Sequence, residues 1–245
     1  MGGCATALDD AWAATDNVAC WVYREQPSMG IAVRQNHLMK ELSLGAVYAA
    51  IPISKTGTMV LDYNHYGNLD YNEQRASLTY AMRIGRRDNT RNMAVGVRFD
   101  YLHSGTATGY YDPLNIATFS AGLQIHASKH LIVGLRSFSP FAIRLNTNEA
   151  TRIPSLFSAG ASYKLANELI GTAEVEKVLY RPPRLRIGVE YGWDNLLYAR
   201  MGMATNPGIF TFGIGYKHRH FAIDMAVQTH PQLGMTPQLS THYDF

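Results

Sequence analysis

The chain has 245 residues, 47% of them hydrophobic and only 17% charged, against roughly 25% charged in an ordinary soluble domain. A net charge of +3 is too small to argue for nucleic acid, and no apolar run approaches the roughly 18 residues that a membrane helix needs. A membrane protein of this hydropathy must span as a closed barrel, because lipid offers the backbone no other partner.

The chain opens Met1-Gly2-Gly3-Cys4 with neither a basic nor an apolar leader. An exported barrel then needs its leader upstream, and Gly3-Cys4 with no apolar stretch before it makes no case for lipidation. Residues 1–27 do not alternate. Ala5 to Ala19, with Leu8-Asp9-Asp10-Ala11-Trp12-Ala13-Ala14 inside it, reads as a short helix and loop. In a barrel of this size such a segment is expected to fold into the lumen as a plug. Cys4 and Cys20 both fall in it. In an oxidising compartment they either close a disulfide, worth about 3 kcal/mol by loop entropy, or pack as two small buried thiols.

Residues 28–245 break into segments of roughly ten that alternate in polarity, the pattern of transmembrane strands. About fourteen strands are predicted, near 28–36, 43–52, 57–66, 75–85, 91–103, 115–126 and 130–138 in the first half. The second half gives 155–164, 168–177, 183–192, 196–203, 208–217, 220–228 and 235–245, and Pro52 must sit at a strand end. The faces are plain in the clearest of them. Met93, Val95, Val97, Phe99 and Tyr101 alternate with Ala94, Gly96, Arg98 and Asp100. Phe210, Phe212, Ile214 and Tyr216 alternate with Thr211, Gly213, Gly215 and Lys217. A soluble sandwich would put Lys and Glu on its polar face. Here that face mixes glycine with charge, as a crowded lumen would, and the apolar face is aromatic.

The connections alternate too. Ser54 to Gly57, Arg86 to Thr90, Ser128-Lys129, Leu165 to Asn167, Trp193 to Asn195 and His218-Arg219-His220 are tight. Gly67 to Gln74, Ser104 to Leu114 and Ser139 to Pro154 are longer. Short periplasmic turns facing longer outer loops are the mark of an even-stranded barrel with both termini inside. The chain ends Leu239-Ser240-Thr241-His242-Tyr243-Asp244-Phe245, with Leu239, Tyr243 and Phe245 on one face. That ending resembles the closing strand of outer-membrane barrels, and Tyr243 and Phe245 are expected to be the signal read by the barrel assembly machinery.

Gly2-Gly3-Cys4-Ala5-Thr6-Ala7-Leu8-Asp9-Asp10-Ala11, followed by Asp16-Asn17-Val18-Ala19, resembles the N-terminal hatch motif of the FadL/PorV-like barrels. The resemblance implies fourteen strands, a hatch in the lumen and a C-terminal aromatic residue, so it covers the whole chain, although only the hatch motif is specific. Two departures stand out. The family's Asn-Pro-Ala-Gly turn is here Asn17-Val18-Ala19-Cys20, and the outer loops are short for a ligand-capturing transporter. Members range from transporters of hydrophobic compounds to PorV-type subunits of secretion machines, so fold transfers better than function.

Projected onto the inward faces, Arg98, Asp100, Glu174, Glu176, Arg186, Glu190, Arg200 and Asp224, with Arg75, Arg83, Arg136 and Lys217, form a set of both signs. The set is expected to pair across the lumen as salt-bridged filler around the plug; lining a selective channel is the other reading. The nine His residues show no metal-ligand spacing, no cofactor is called for, and His103-Ser104 is the only adjacent pair that could suggest a hydrolase. An enzyme is therefore not expected. Lys55, Arg86, Arg87, Arg91, Lys129, Lys164 and Arg219 collect at the short turns, beside inner-leaflet lipid or an acidic periplasmic partner. Tyr110, Tyr111, Phe138 and Phe141 are candidate contacts for a partner or a ligand gate.

The sequence thus predicts an all-β protein: a transmembrane, antiparallel, up-and-down barrel over 28–245 with a helical plug at 1–27. Its expected place is the outer membrane of a Gram-negative bacterium, embedded in lipid. Its expected role is that of a PorV-like accessory subunit held by protein partners in a larger secretion or assembly complex. The alternative is a FadL-like transporter of small hydrophobic molecules.

Overall fold

Strand alternation closes on itself in three dimensions. The computed structural model describes residues 1–85, 92–107, 113–140 and 153–245. Fourteen strands among them pair in sequence order, each antiparallel to the next, and the first pairs with the last. They are β1 Ser28–Gln35, β2 Ser43–Ser54, β3 Gly57–Gly67, β4 Tyr71–Ile84, β5 Asn92–Thr106, β6 Leu114–His126 and β7 Leu131–Phe138. The circuit continues with β8 Leu156–Lys164, β9 Leu169–Val178, β10 Arg184–Trp193, β11 Leu197–Ala204, β12 Ile209–His218, β13 Phe221–His230 and β14 Gly234–Asp244. Closure sets Met29 against Tyr243 and Val33 against Leu239, so β1 and β14 leave no open edge along their pairing.

Each strand presents one face outward. Leu61, Phe99, Ile214 and Phe212, each more than half exposed, belong to a band of large exposed apolar side chains, the surface that lipid covers. No helix among the described residues is long and apolar enough to cross a membrane. Both ends of the barrel wall lie on the rim of short turns, where the Phe245 amide donates to the Pro27 carbonyl at 2.9 Å. In outer-membrane barrels that rim is the periplasmic one. Pro52 lies where the β2–β3 register shifts between Pro52 and Ser54, close to the strand end.

The outer loop expected at Gly67 to Gln74 is largely strand. Only residues 68–70 separate β3 from β4, and Tyr71 pairs with Thr106. Asn68 closes the turn, its Oδ1 accepting from the amides of Asp70 and Tyr71 at 3.0 Å. The hairpin rises past the apolar band, where no lipid imposes alternation.

Residues 1–27 lie inside the barrel. Asp10 caps the single helical turn α1 (Ala11–Ala14) by accepting from the Trp12 and Ala13 amides, and Asn17 caps a 3₁₀ helix at Val18–Tyr23. That second element packs Val18, Trp21 and Val22 against Tyr48, Ala50, Val60, Ala81 and Ala94 of β2–β5, the apolar core of the molecule. Trp12 and Trp21 both meet the Tyr48 ring, at 5.1 and 4.8 Å between centroids.

The possible Cys4–Cys20 disulfide is not formed: both residues are free and buried. Cys4 lies beside Thr172 and Glu174 of β9, whereas Cys20 sits in the 3₁₀ helix, which packs against β4, β5 and β6. Burial, reinforced by the Glu174 charge, pushes the Cys4 thiol up to about 11, and burial lifts Cys20 well above the ordinary thiol range. Neither thiolate is populated near neutral pH. At pH 8 the folded barrel should therefore take up no iodoacetamide, and after unfolding without reductant it should take up two equivalents. Mass spectrometry showing no label on the unfolded, unreduced chain would instead mean a bridge.

Candidate functional site

The inner segment makes one circuit of the bore. Gly2 donates to Thr211 Oγ1 on β12 at 2.7 Å, and Gly3 accepts from Arg186 on β10 at 2.9 Å. The amides of Ala5 and Thr6 both donate to Glu174 Oε2 on β9, at 2.9 and 3.0 Å. Ala7 accepts from Ser162 on β8 and Asp9 from Gln124 on β6. Asn17 donates to the Leu123 carbonyl at 3.2 Å, Arg83 on β4 reaches the Val22 carbonyl, and Arg24 meets Asp244 on β14 at 2.6 Å. Backbone that would otherwise be stranded in a bore is thus satisfied along its length.

Glycine makes the close approach possible. A Cβ on Gly134 would stand 1.9 Å from the Thr6 carbonyl oxygen, and one on Gly202 would stand 2.1 Å from the Gly2 nitrogen. Gly188 pairs with Gly202 and Gly96 with Gly122 across neighbouring strands, so the inner wall offers bare ledges on which the segment lies.

Around the ledges the charged residues pair. Arg98 contacts Asp100 at 2.8 Å, and Asp100, fully buried, also accepts from Ser77 and Ser120 at 2.7 Å each. Arg98 further donates to the Thr15 carbonyl. Arg75 lies 3.6 Å from Asp62 and 3.9 Å from Asp100. Arg186 bridges Glu174 at 3.3 Å and Glu176 at 2.7 Å, and Arg136 joins Glu176 at 3.2 Å to Asp16 at 2.5 Å. Arg200 pairs with both Glu190 and Asp224. Eleven of the twelve charged residues projected inward from the sequence therefore lie in the bore and are held there, Arg83 by the Val22 carbonyl and the rest by ion pairs; Lys217 is the exception, exposed at the end of β12 with no ion-pair partner among the described residues. Asp16 and Asp62 were not singled out: Asp16 lies in the inner segment, which does not alternate, whereas Asp62 had a readable signal, standing between the outward Leu61 and Tyr63 of β3.

Above this layer, at the outer mouth, is a cavity of about 480 Å³ whose larger part is apolar, lined by Leu44, Leu102, Leu114, Ile116, Phe138 and Ile153 with Tyr66 and Pro154, and whose polar lining is Asn64, Glu73, Gln74, Arg75, His103 and Ser104. Of these apolar residues only Phe138 was expected at a site. The others had a readable signal: Leu102, Leu114 and Ile116 occupy inward positions that elsewhere on β5 and β6 hold glycine, serine or charge. Tyr110, Tyr111 and Phe141 lie outside the described residues, as do Arg86, Arg87 and Arg91. On the lipid side of the same quadrant, a second hollow of about 940 Å³ runs over Val47, Ala49, Leu61, Tyr63, Ala76 and Phe99.

His103 and Ser104 are neighbours on β5 and so project to opposite sides of the wall; His103 bonds Asn115 on the outer side. Among the described residues no group of three or more His, Cys, Asp or Glu side chains is placed to hold a metal ion.

No protein-family model matches the chain, and no curated protein matches it. Solved structures do. The deltaS2S3 mutant of the monoaromatic hydrocarbon channel TodX is 9% identical, with a TM-score of 0.71 over 100% of this chain and 97% of its own. The Pseudomonas putida toluene transporter TodX is 10% identical, with a TM-score of 0.64 over 95% of this chain and 94% of its own. The Acinetobacter baumannii outer membrane protein Omp33 is 8% identical, with a TM-score of 0.59 over 91% of this chain and 99% of its own. The likeness establishes an outer-membrane type of barrel fold. It lends nothing to the expected accessory-subunit role.

Substitutions at two positions test how the bore is filled. Gly134→Val should lift the inner segment off its ledge and let iodoacetamide reach Cys4 in the folded barrel; protection equal to the wild type would show that the wall yields instead. Glu174→Ala removes the acceptor of two amides and a partner of two arginines, so it should cost about 3–5 kcal/mol. Glu174→Gln, which keeps an acceptor, should cost less. Equal urea midpoints for the two variants would count against the amide contacts.

Proposed function

We propose that this protein is a FadL-like channel of a Gram-negative outer membrane, passing small hydrophobic molecules from the outer face sideways into the bilayer, with residues 1–27 as its plug. One observation carries the reading: an apolar vestibule and a lipid-facing hollow share strands β2–β5. Leu44 lies above Val47 on β2, Tyr66 above Tyr63 on β3, Arg75 above Ala76 on β4, and Leu102 above Phe99 on β5. A molecule in the vestibule has a layer of ion pairs and the plug beneath it. Passing straight down would mean parting buried pairs, at several kcal/mol each.

The flank is the cheaper direction. Covering a small aromatic ring with apolar surface is worth about 4–6 kcal/mol, taking 150–250 Å² at about 25 cal/mol per Å². About 150 Å³ of apolar space is enough to bind benzene, so a 480 Å³ vestibule has room for a monoaromatic molecule. The hydrocarbon channel and toluene transporter among the similar folds support the same substrate class. The short outer loops then matter less, because capture falls to the mouth of the barrel itself.

The test is uptake of labelled toluene by cells that depend on this barrel for it. Leu102→Glu with Ile116→Lys places charge in the vestibule and should lower uptake at least tenfold, the equivalent of about 1.4 kcal/mol. Heat-modifiable migration checks that the variant still folds. Unchanged uptake would sink the vestibule as the entry site, and steady ionic conductance of the wild type in planar bilayers would contradict a filled bore.

A further inference from the structure

The lipid face carries another hollow, of about 380 Å³ around Ala199 on β10–β13, but the mouth cavity does not extend behind those strands. What an entering molecule meets is set by the vestibule, and register lays out its floor. Asn64 on β3 stands opposite Arg75 on β4, Arg75 opposite Leu102 on β5, and Leu102 opposite Ile116 on β6. Opposed side chains on one face of antiparallel strands stand about 5 Å apart. A polar pair therefore passes directly into an apolar wall.

That pair has hydrogen-bonding capacity to spare. Arg75 faces inward with 27% of its side chain exposed, and in a closed wall that exposure is to the vestibule. Its nearest carboxylate oxygens, on Asp62 and Asp100, lie 3.6 and 3.9 Å away, beyond hydrogen-bond reach. Its Nε is buried, and its guanidinium makes no hydrogen bond among the described residues. The charge of Arg75 is thus answered from the layer below, while its N–H groups are not. Asn64 donates through Nδ2 to Asp62 at 3.3 Å, which leaves its Oδ1 as an unused acceptor.

The vestibule also carries no net charge. Glu73 and Arg75 cancel among its described lining residues, His103 is turned outward to Asn115, and Arg34 on β1 lies outside the lining. Glu73 stands two residues above Arg75 on the same inward row, so a bound anion would face a carboxylate.

We propose that the vestibule recognises neutral molecules with one hydroxyl on a small apolar body, phenol being the simplest, and turns away carboxylates. The hydroxyl oxygen accepts from Arg75, its hydrogen is donated to Asn64 Oδ1, and the ring lies over Leu102, Ile116 and Phe138. The inference rests on the vestibule as the entry site of the proposed channel and names what that site selects.

Equilibrium dialysis of the purified barrel in detergent, with uptake by detergent alone subtracted, compares labelled phenol, toluene and benzoate at pH 8. The wild type should bind phenol at least as tightly as toluene, although phenol enters hydrocarbon less readily, and benzoate at least tenfold more weakly than phenol. Arg75→Met should lower the phenol-to-toluene affinity ratio about tenfold and Asn64→Leu about threefold. Lys55→Gln on the β2–β3 turn should leave it alone. Heat-modifiable migration shows which variants fold, and Asn64→Leu decides the matter if Arg75→Met does not. A ratio unmoved by every folded variant, or benzoate bound as tightly as phenol, overturns the hydroxyl site and leaves the vestibule as an entry site. Binding of none of the three overturns the vestibule as well.

Discussion

A stretch of irregular backbone inside a bore must find hydrogen-bond partners that bulk water would otherwise supply, and Glu174 is where this wall supplies two at once. One oxygen of its carboxylate takes the consecutive amides of Ala5 and Thr6. The other faces Arg186 and Arg136, which keep the buried charge from standing alone. Arg136 then reaches back to Asp16, eleven residues along the inner segment from Ala5. The segment is therefore grasped at two points through one linked set of wall side chains. Buried pairs of this kind return little net stability over a well-packed apolar wall. What they return here is position: a segment shifted by one residue would present the wrong groups to Glu174 and meet Cβ atoms where it now meets Gly134 and Gly202.

The bore is divided because that segment is. Its first half is polar backbone with small side chains, and it lies against the charged and glycine-bearing faces of β6–β12. Its second half is the Val18–Tyr23 helix, and it lies against small apolar residues of β2–β5. The division is not complete, since β3–β5 also carry the paired Asp62, Arg75, Arg98 and Asp100 and the helix rests on β6 as well. The division also sets what lies at the outer mouth. Above the ion pairs, Leu102, Leu114 and Ile116 continue the inward rows of β5 and β6 with apolar groups that the segment does not reach, and the vestibule is the space they leave.

Much of this was legible in the sequence because lipid enforces period two. Every strand from Ser28 to Asp244 was placed within a few residues, and the lumen charges were legible as the minor face of each strand. The failures have physical reasons. Tyr71 to Gln74 read as loop because a strand above the bilayer no longer needs an apolar face. The apolar side of the bore was missed because Ala50, Val60 and Ala81 face inward between apolar outward neighbours, which blurs the alternation there, while on β5 Ala94 is a single small residue among glycine and charge. The glycines announced a crowded lumen, but which backbone crowds it depends on a register between residues more than a hundred positions apart. Cysteine spacing, likewise, says nothing about which wall each thiol will face.

The two hollows on the lipid face arise by one device and differ in what stands at their ends. Ala49 and Ala76 interrupt large outward rows on β2–β5 as Ala199 does on β11, and in each case the missing side chain is the hollow. An outward alanine among aromatics is thus a depression that can be read from register alone. The β2–β5 hollow lies below an apolar mouth, so its upper end suits a molecule with no charge to leave behind. The β10–β13 hollow ends instead at Trp193 and Tyr216 on the rim of short turns, far from the vestibule. A depression in the outer wall therefore bears on transport only where the outer mouth opens behind the same strands, as it does on β2–β5 and not on β10–β13.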